Sequence, residues 1–183
     1  MDKMLMVKIG EIKDAFSKNR PFELKRLSNE LIQGAVVDYD ETMAELAIVA
    51  YSLNKLNSKE HIVNSKKWAD AKKTIIESMD EMANAVEADD EGKFSEILKD
   101  LSQNVTEIDG ELGNYVQNVY DKARVKMASN AYAMGLSLGQ AAELTKADKK
   151  NLQSYIGNTL IHDRIAEKTS IGTRVEKLKK LFG

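Results

Sequence analysis

Cysteine is absent from this 183-residue chain and proline occurs once. Without cysteine there is no disulfide scaffold and no thiolate metal site. The scarcity of proline, with aromatics at only 6%, also argues against a β-sandwich with its many turns. Long apolar runs are missing too: the longest, Leu46 to Tyr51, is far short of the roughly 20 residues that span a bilayer. The opening MDKMLMVKIG has neither the apolar stretch nor the small-residue cleavage site of a secretory signal. Histidine occurs twice. What the chain does have is 43% hydrophobic and 31% charged residues, enough to bury a core and to exclude full disorder. The expectation is a cytoplasmic, all-α protein.

The formal net charge of −2 conceals a segregation. Residues 77–111 hold twelve acids against Lys93 and Lys99, a net of −10, whereas residues 112–183 hold twelve bases against six acids, a net of +6. A basic surface confined to the C-terminal third is therefore compatible with overall near-neutrality. Solvated helix faces give the same pattern, and so does pairing of the acidic middle with the basic end.

Helical periodicity runs through the chain. Ile9, Ile12, Ala15 and Phe16 mark a first helix ending before Asn19–Arg20. Pro21 suits the first turn of the next, where a missing N–H costs nothing, and Leu24, Leu27, Leu31 and Ala35 follow. Tyr39–Asp40 either breaks this helix, with Asp40 as an N-cap, or lies inside one long helix over 22–57. A polar loop around His61 precedes a helix capped by Ser65 and running through Trp68, Ile75, Met79 and Val86. Asp90 is placed to cap the next, with Phe94, Ile97, Leu98, Leu101 and Val105 on its buried face. Asp109–Gly110 reads as a break before a helix from Leu112 to about Met134. Gly135 then sits where a left-handed C-terminal cap is wanted. No strand pattern survives.

Catalytic constellations are missing. His61 and His162 belong to neither a Glu-x-x-His pair nor a His-Glu-x-x-His motif. Gly110 and Gly113 lack the remaining glycine and the preceding strand of a dinucleotide fingerprint. No enzyme activity, no cofactor and no metal are expected.

One specific pattern begins at Ser137, which is placed to N-cap a short helix, SLGQAAELT. The turn Lys146–Ala147–Asp148 follows, and Asp148 can cap KKNLQSYIG. Two short helices joined by a tight turn have the geometry of a helix-turn-helix. Ala142 is small where the helices must approach, and Leu152 and Tyr155 would pack the second helix onto the first. The second helix would then expose Lys149, Lys150, Asn151, Gln153 and Ser154, donors suited to phosphates and base edges. Arg124 and Lys126 on the preceding helix can add phosphate contacts.

The run Ala131, Tyr132, Gly135, Ser137, Leu138, Gly139, Ala141, Ala142, Glu143 and Leu144 resembles the helix-turn-helix-like part of small prokaryotic antitoxins and related archaeal regulators. The resemblance covers about 30 residues, 128–157, and implies DNA binding, often as a dimer and sometimes beside a partner toxin. One departure stands out: Lys146 occupies the turn position that usually carries glycine. A non-glycine residue adopts the left-handed conformation there at a cost of roughly 1 kcal/mol.

Thr169 or Ser170 would cap a last helix with an apolar stripe of Ile171, Val175, Leu178, Leu181 and Phe182, and His162–Asp163–Arg164 reads as a polar linker before it. Such a helix suits docking on its own bundle, on a second subunit or on a membrane surface. The expected organisation is an N-terminal helical bundle over 1–110 and a C-terminal helical module over 111–183, with the helix-turn-helix-like unit at 137–157. The expected function is that of a non-enzymatic regulator or adaptor. Its C-terminal module contacts nucleic acid, DNA before RNA, and its bundle mediates protein contact or homodimerisation, with no integral membrane association. The alternative is a purely protein-binding or structural helical module.

Overall fold

The computed structural model describes residues 3–112 and 119–166, and every regular element among them is an α-helix. In chain order these are α1 (Lys3–Ser17), α2 (Pro21–Asp38), α3 (Glu41–Asn57), α4 (Glu60–Val63), α5 (Trp68–Glu87), α6 (Glu91–Leu112), α7 (Val119–Ala133), α8 (Leu138–Thr145) and α9 (Lys149–Ala166). None of them is long and apolar enough to cross a membrane. The helix expected over 169–183 lies outside the described residues.

The centre of the structure is α3. Met43, Ala44, Leu46, Ala47, Ile48, Val49, Ala50, Leu53 and Leu56 are all buried, so the helix is apolar on nearly every side. A helix of that kind must be surrounded, and α1, α2, α4, α6, α7 and α8 all pack on it. The tightest partner is α2, antiparallel to it, with the Asn54 amide donating to the Pro21 carbonyl at the far end of the pair. A second hairpin, α5–α6, packs through α1, where the Phe16 and Trp68 rings meet edge to face at 6.0 Å. One hydrophobic core runs continuously from Ile9 to Ile156.

The 22–57 region is two helices. Tyr39 closes α2 at φ 52°, and Asp40 Oδ1 accepts from the Thr42 and Met43 amides at 2.8 and 3.1 Å. The same device recurs. Asn19, Tyr39, Asp89, Gly135 and Lys146 all have positive φ. In each case the next residue's N–H reaches back to an alanine carbonyl five positions earlier, on Ala15, Ala35, Ala85, Ala131 and Ala142, at 2.8 to 3.3 Å. This is the left-handed helix stop of the Schellman type. All five alanines are buried, and their single methyl leaves room for the returning chain. Asp40, Asp90, Ser137 and Asp148 then cap the following helices through their side chains.

Four expectations are corrected. Asp109–Gly110 does not break a helix, since α6 continues to Leu112; the buried stripe through Val105 outweighs the roughly 1 kcal/mol that an interior glycine costs. Ser65 does not cap α5: Lys67 precedes the helix in helical conformation, and Ser65 Oγ is buried without a partner. The segment around His61 is partly helical, as α4. Finally, α9 passes Gly157 and includes His162–Asp163–Arg164, which are therefore not a linker; Thr159 Oγ1 donates back to the Tyr155 carbonyl at 3.0 Å within it.

Two substitutions test these helix ends by urea unfolding. Asp40→Ala should lower stability by about 1 kcal/mol through loss of the cap. Asp89→Gly should raise it by about 0.5–1 kcal/mol, because glycine adopts the left-handed stop without steric strain.

Candidate nucleic-acid interface

The α8–α9 segment is built by local side chains. Ser137 and Gln140 form a reciprocal capping box at 3.2 and 3.0 Å. Lys146, left-handed at φ 53°, stops α8, and Asp148 Oδ1 accepts from the Asn151 amide at 2.8 Å to start α9. Two contacts tie the segment to the α2–α3 turn. Lys146 Nζ lies 3.4 Å from Glu41, and the Tyr39 hydroxyl lies 3.4 Å from both the Gln140 carbonyl and the Glu143 carboxylate, either of which can accept its proton. Leu144 and Leu152 are fully buried, and Ile156 joins them in the core. Tyr155 does not share that packing role. It is only half-buried, because Leu152 and Ile156 already fill the inward stripe.

Lys149, Lys150, Asn151, Gln153 and Ser154 are all exposed, but helical spacing divides them. Lys149 and Gln153 share one flank of α9. Asn151, Ser154, Tyr155 and Asn158 share another, at three- and four-residue intervals. This second flank turns into a concavity of about 650 Å³ whose other walls are α3 and α7. Lys122 and Lys126 line it from α7, Lys55 from α3 and Lys59 from just beyond α3, with Asp121 as the acid present. The Lys55 ammonium sits 5.2 Å from the centre of the Tyr51 ring, and that of Lys126 sits 5.9 Å from the Tyr155 ring. Burial raises the Tyr51 phenol above its usual range, against a smaller opposing pull from Lys126.

Three of the seven residues singled out in the sequence, Lys126, Asn151 and Ser154, therefore meet in one groove. Lys149, Lys150 and Gln153 lie outside its lining. Tyr51, Lys55 and Lys59 escaped the sequence reading because they stand about 100 positions from Asn151 and come near it only through packing of α7 on both α3 and α9.

Arg124 is placed differently. Its guanidinium lies 3.7 Å from Glu45 and 4.0 Å from Asp121, stacked 5.0 Å from the Tyr120 ring. It belongs to a polar cluster joining three helices, in which the Tyr120 hydroxyl donates to Glu45 at 2.6 Å and lies 2.6 Å from Ser102 Oγ. Burial, and then the adjacent carboxylate, push the Tyr120 phenol far above its ordinary range, so it stays protonated as the donor. The α5–α6 hairpin keeps its acids on the outside: Glu77, Asp80, Glu81, Glu87, Glu96, Asp100 and Glu107 are exposed. Among the described residues α9 packs on α7 and α8 and not on that hairpin. No group of three or more His, Asp or Glu suited to a metal ion occurs among the described residues.

Replacing Tyr120 by Phe should lower stability by about 1–3 kcal/mol, since Glu45 loses its short hydrogen bond inside the protein; equilibrium urea unfolding measures it. Comparison with known proteins supplies no relative to guide the function: no family model, no curated protein and no solved structure matches this chain.

Proposed function

We propose that this protein is a non-enzymatic regulator or adaptor that binds nucleic acid through the surface formed by α9 and its groove with α3 and α7. The observation that carries this reading is the gathering of Lys55 and Lys126, with Asn151 and Ser154, around one concavity, next to the exposed Lys149–Lys150 pair at the start of α9. Clustered ammonium groups attract a polyanion and hold it by releasing its counterions. Asparagine and serine side chains on the same face supply hydrogen bonds to phosphate or base edges. The eight-residue α8 and the short turn before α9 suit a helix-turn-helix arrangement, although α9 at 18 residues is longer than the expected second helix, and the likeness to antitoxin segments points toward DNA.

A second reading has its own observation. The exposed acids of α5–α6, together with Phe22 at 87% and Val37 at 82% exposure on α2, suit contact with a basic or amphipathic protein partner. In the proposed adaptor these surfaces supply the protein contact. In the alternative it is the whole function, and α9 only packs.

Fluorescence anisotropy with a labelled oligonucleotide of mixed sequence separates the two. Binding should weaken steeply with salt. Lys149→Glu/Lys150→Glu should reduce affinity at least tenfold, and neutralising either lysine should lower the salt slope by about one. Parent-like binding by the double variant, or no binding by the parent at low salt, overturns the reading.

A further inference from the structure

We infer that the groove between α3, α7 and α9 receives unpaired nucleotides, so that the nucleic acid bound is a single strand rather than a duplex. This rests on the nucleic-acid reading above and adds the class of ligand to it.

The side of α9 that carries aromatic and amide side chains is the one turned to the groove. A helix that reads a duplex enters the major groove, about 12 Å wide, and presents its side chains outward to the bases. Asn151, Ser154, Tyr155 and Asn158 instead face a concavity that they share with Tyr51 and Lys55 of α3 and with Val125 and Lys126 of α7. A duplex passing over this surface would leave those side chains below it. A splayed base can enter.

The lining matches the chemistry of such a unit. Tyr51 and Tyr155, from different walls, are half-buried and line the groove. Aromatic side chains stack with any base, because every base has a π-face. The Lys55 and Lys126 ammoniums lie over those rings at 5.2 and 5.9 Å; a base stacking on a ring takes the ammonium's place there, and the flexible lysine swings out to the nucleotide's phosphate. Asn151 and Asn158 carry amides that both donate and accept, as base edges do. Valine side chains, Val119 and Val125, complete the apolar part of the lining. At about 650 Å³ the groove falls within the usual range for small-ligand sites. Rings, flanking cations and edge-reading amides in one concavity are the elements of a single-strand site.

The test uses the full chain and four probes: a mixed-sequence single-stranded decamer, the same decamer as a duplex, a homopyrimidine decamer and a nucleoside monophosphate. Single strands should bind at least tenfold more tightly than the duplex at the same salt. Tyr155→Ala should weaken single-strand binding about tenfold or more, and Tyr155→Phe, which keeps the ring, should restore most of it; circular dichroism checks that both variants stay folded. Equal or tighter binding of the duplex overturns the inference while leaving nucleic-acid binding standing. Unchanged single-strand affinity in Tyr155→Ala overturns it too, and places the strand on another surface. Competition by the monophosphate at a concentration near that of the decamer would assign the groove to a free nucleotide. Absence of binding to every oligonucleotide at low salt would remove the nucleic-acid reading itself.

Discussion

The burial of α3 on nearly every side is the constraint from which the remaining architecture follows. A helix that buries eleven of its 17 residues cannot sit at a surface, so the other helices are arranged to cover it. The α2–α3 hairpin supplies the first cover, and α1, α6, α7 and α8 complete it. The few polar side chains that α3 does carry then take on particular weight. Asp40 starts the helix, Glu45 anchors the cluster with Tyr120, Ser102 and Arg124, and Tyr51 and Lys55 mark where its cover stops and a groove opens. One helix thus connects the hydrophobic core, a buried polar junction and the candidate binding surface.

The two polar sites show different electrostatic logic. In the Glu45 cluster, charge and hydroxyls are satisfied by one another: a short tyrosine–carboxylate hydrogen bond and a guanidinium stacked on the same ring. Such a network rigidifies the junction of α3, α6 and α7, and losing one member leaves the others exposed to the desolvation cost. The groove beside α9 is the reverse. Its lysines lie over tyrosine rings, cation–π contacts of modest strength, and its amides lie in the open. The first arrangement is closed on itself except at Arg124 Nε, which is buried without a hydrogen-bond partner. The second has recognition capacity to spare.

Helix identity and most helix ends could be read from the residues themselves. Pro21, Asp40, Asp90, Ser137 and Asp148 start helices as their side chains dictate, and Gly135 stops one, because caps act within four residues of chain. Lys146 also takes the left-handed conformation expected of a residue at the turn position that usually carries glycine. Other features resisted. Gly110 passes through α6 since tertiary burial overrides propensity, and Ser65 loses the capping role because a helical turn forms ahead of Trp68. The groove was half visible: Lys126, Asn151 and Ser154 lie within one stretch of basic sequence, whereas Tyr51 and Lys55 reach it only by packing. Arg124 read as an exposed base, and its engagement with Glu45 depends on a helix 80 residues earlier.

The alanine-backed helix stops have a consequence for how the chain can change. Each reversal is complete within a few residues, with its hydrogen bonds already assigned, so it offers little slack for an inserted residue or for the extended conformation that a protease must grip. Lengthening such a link would detach the returning chain from its alanine carbonyl and rotate the following helix relative to the core. Variation among sequences that keep this architecture should accordingly gather on exposed helix faces. The number of residues between one helix and the next at these five reversals should hardly vary.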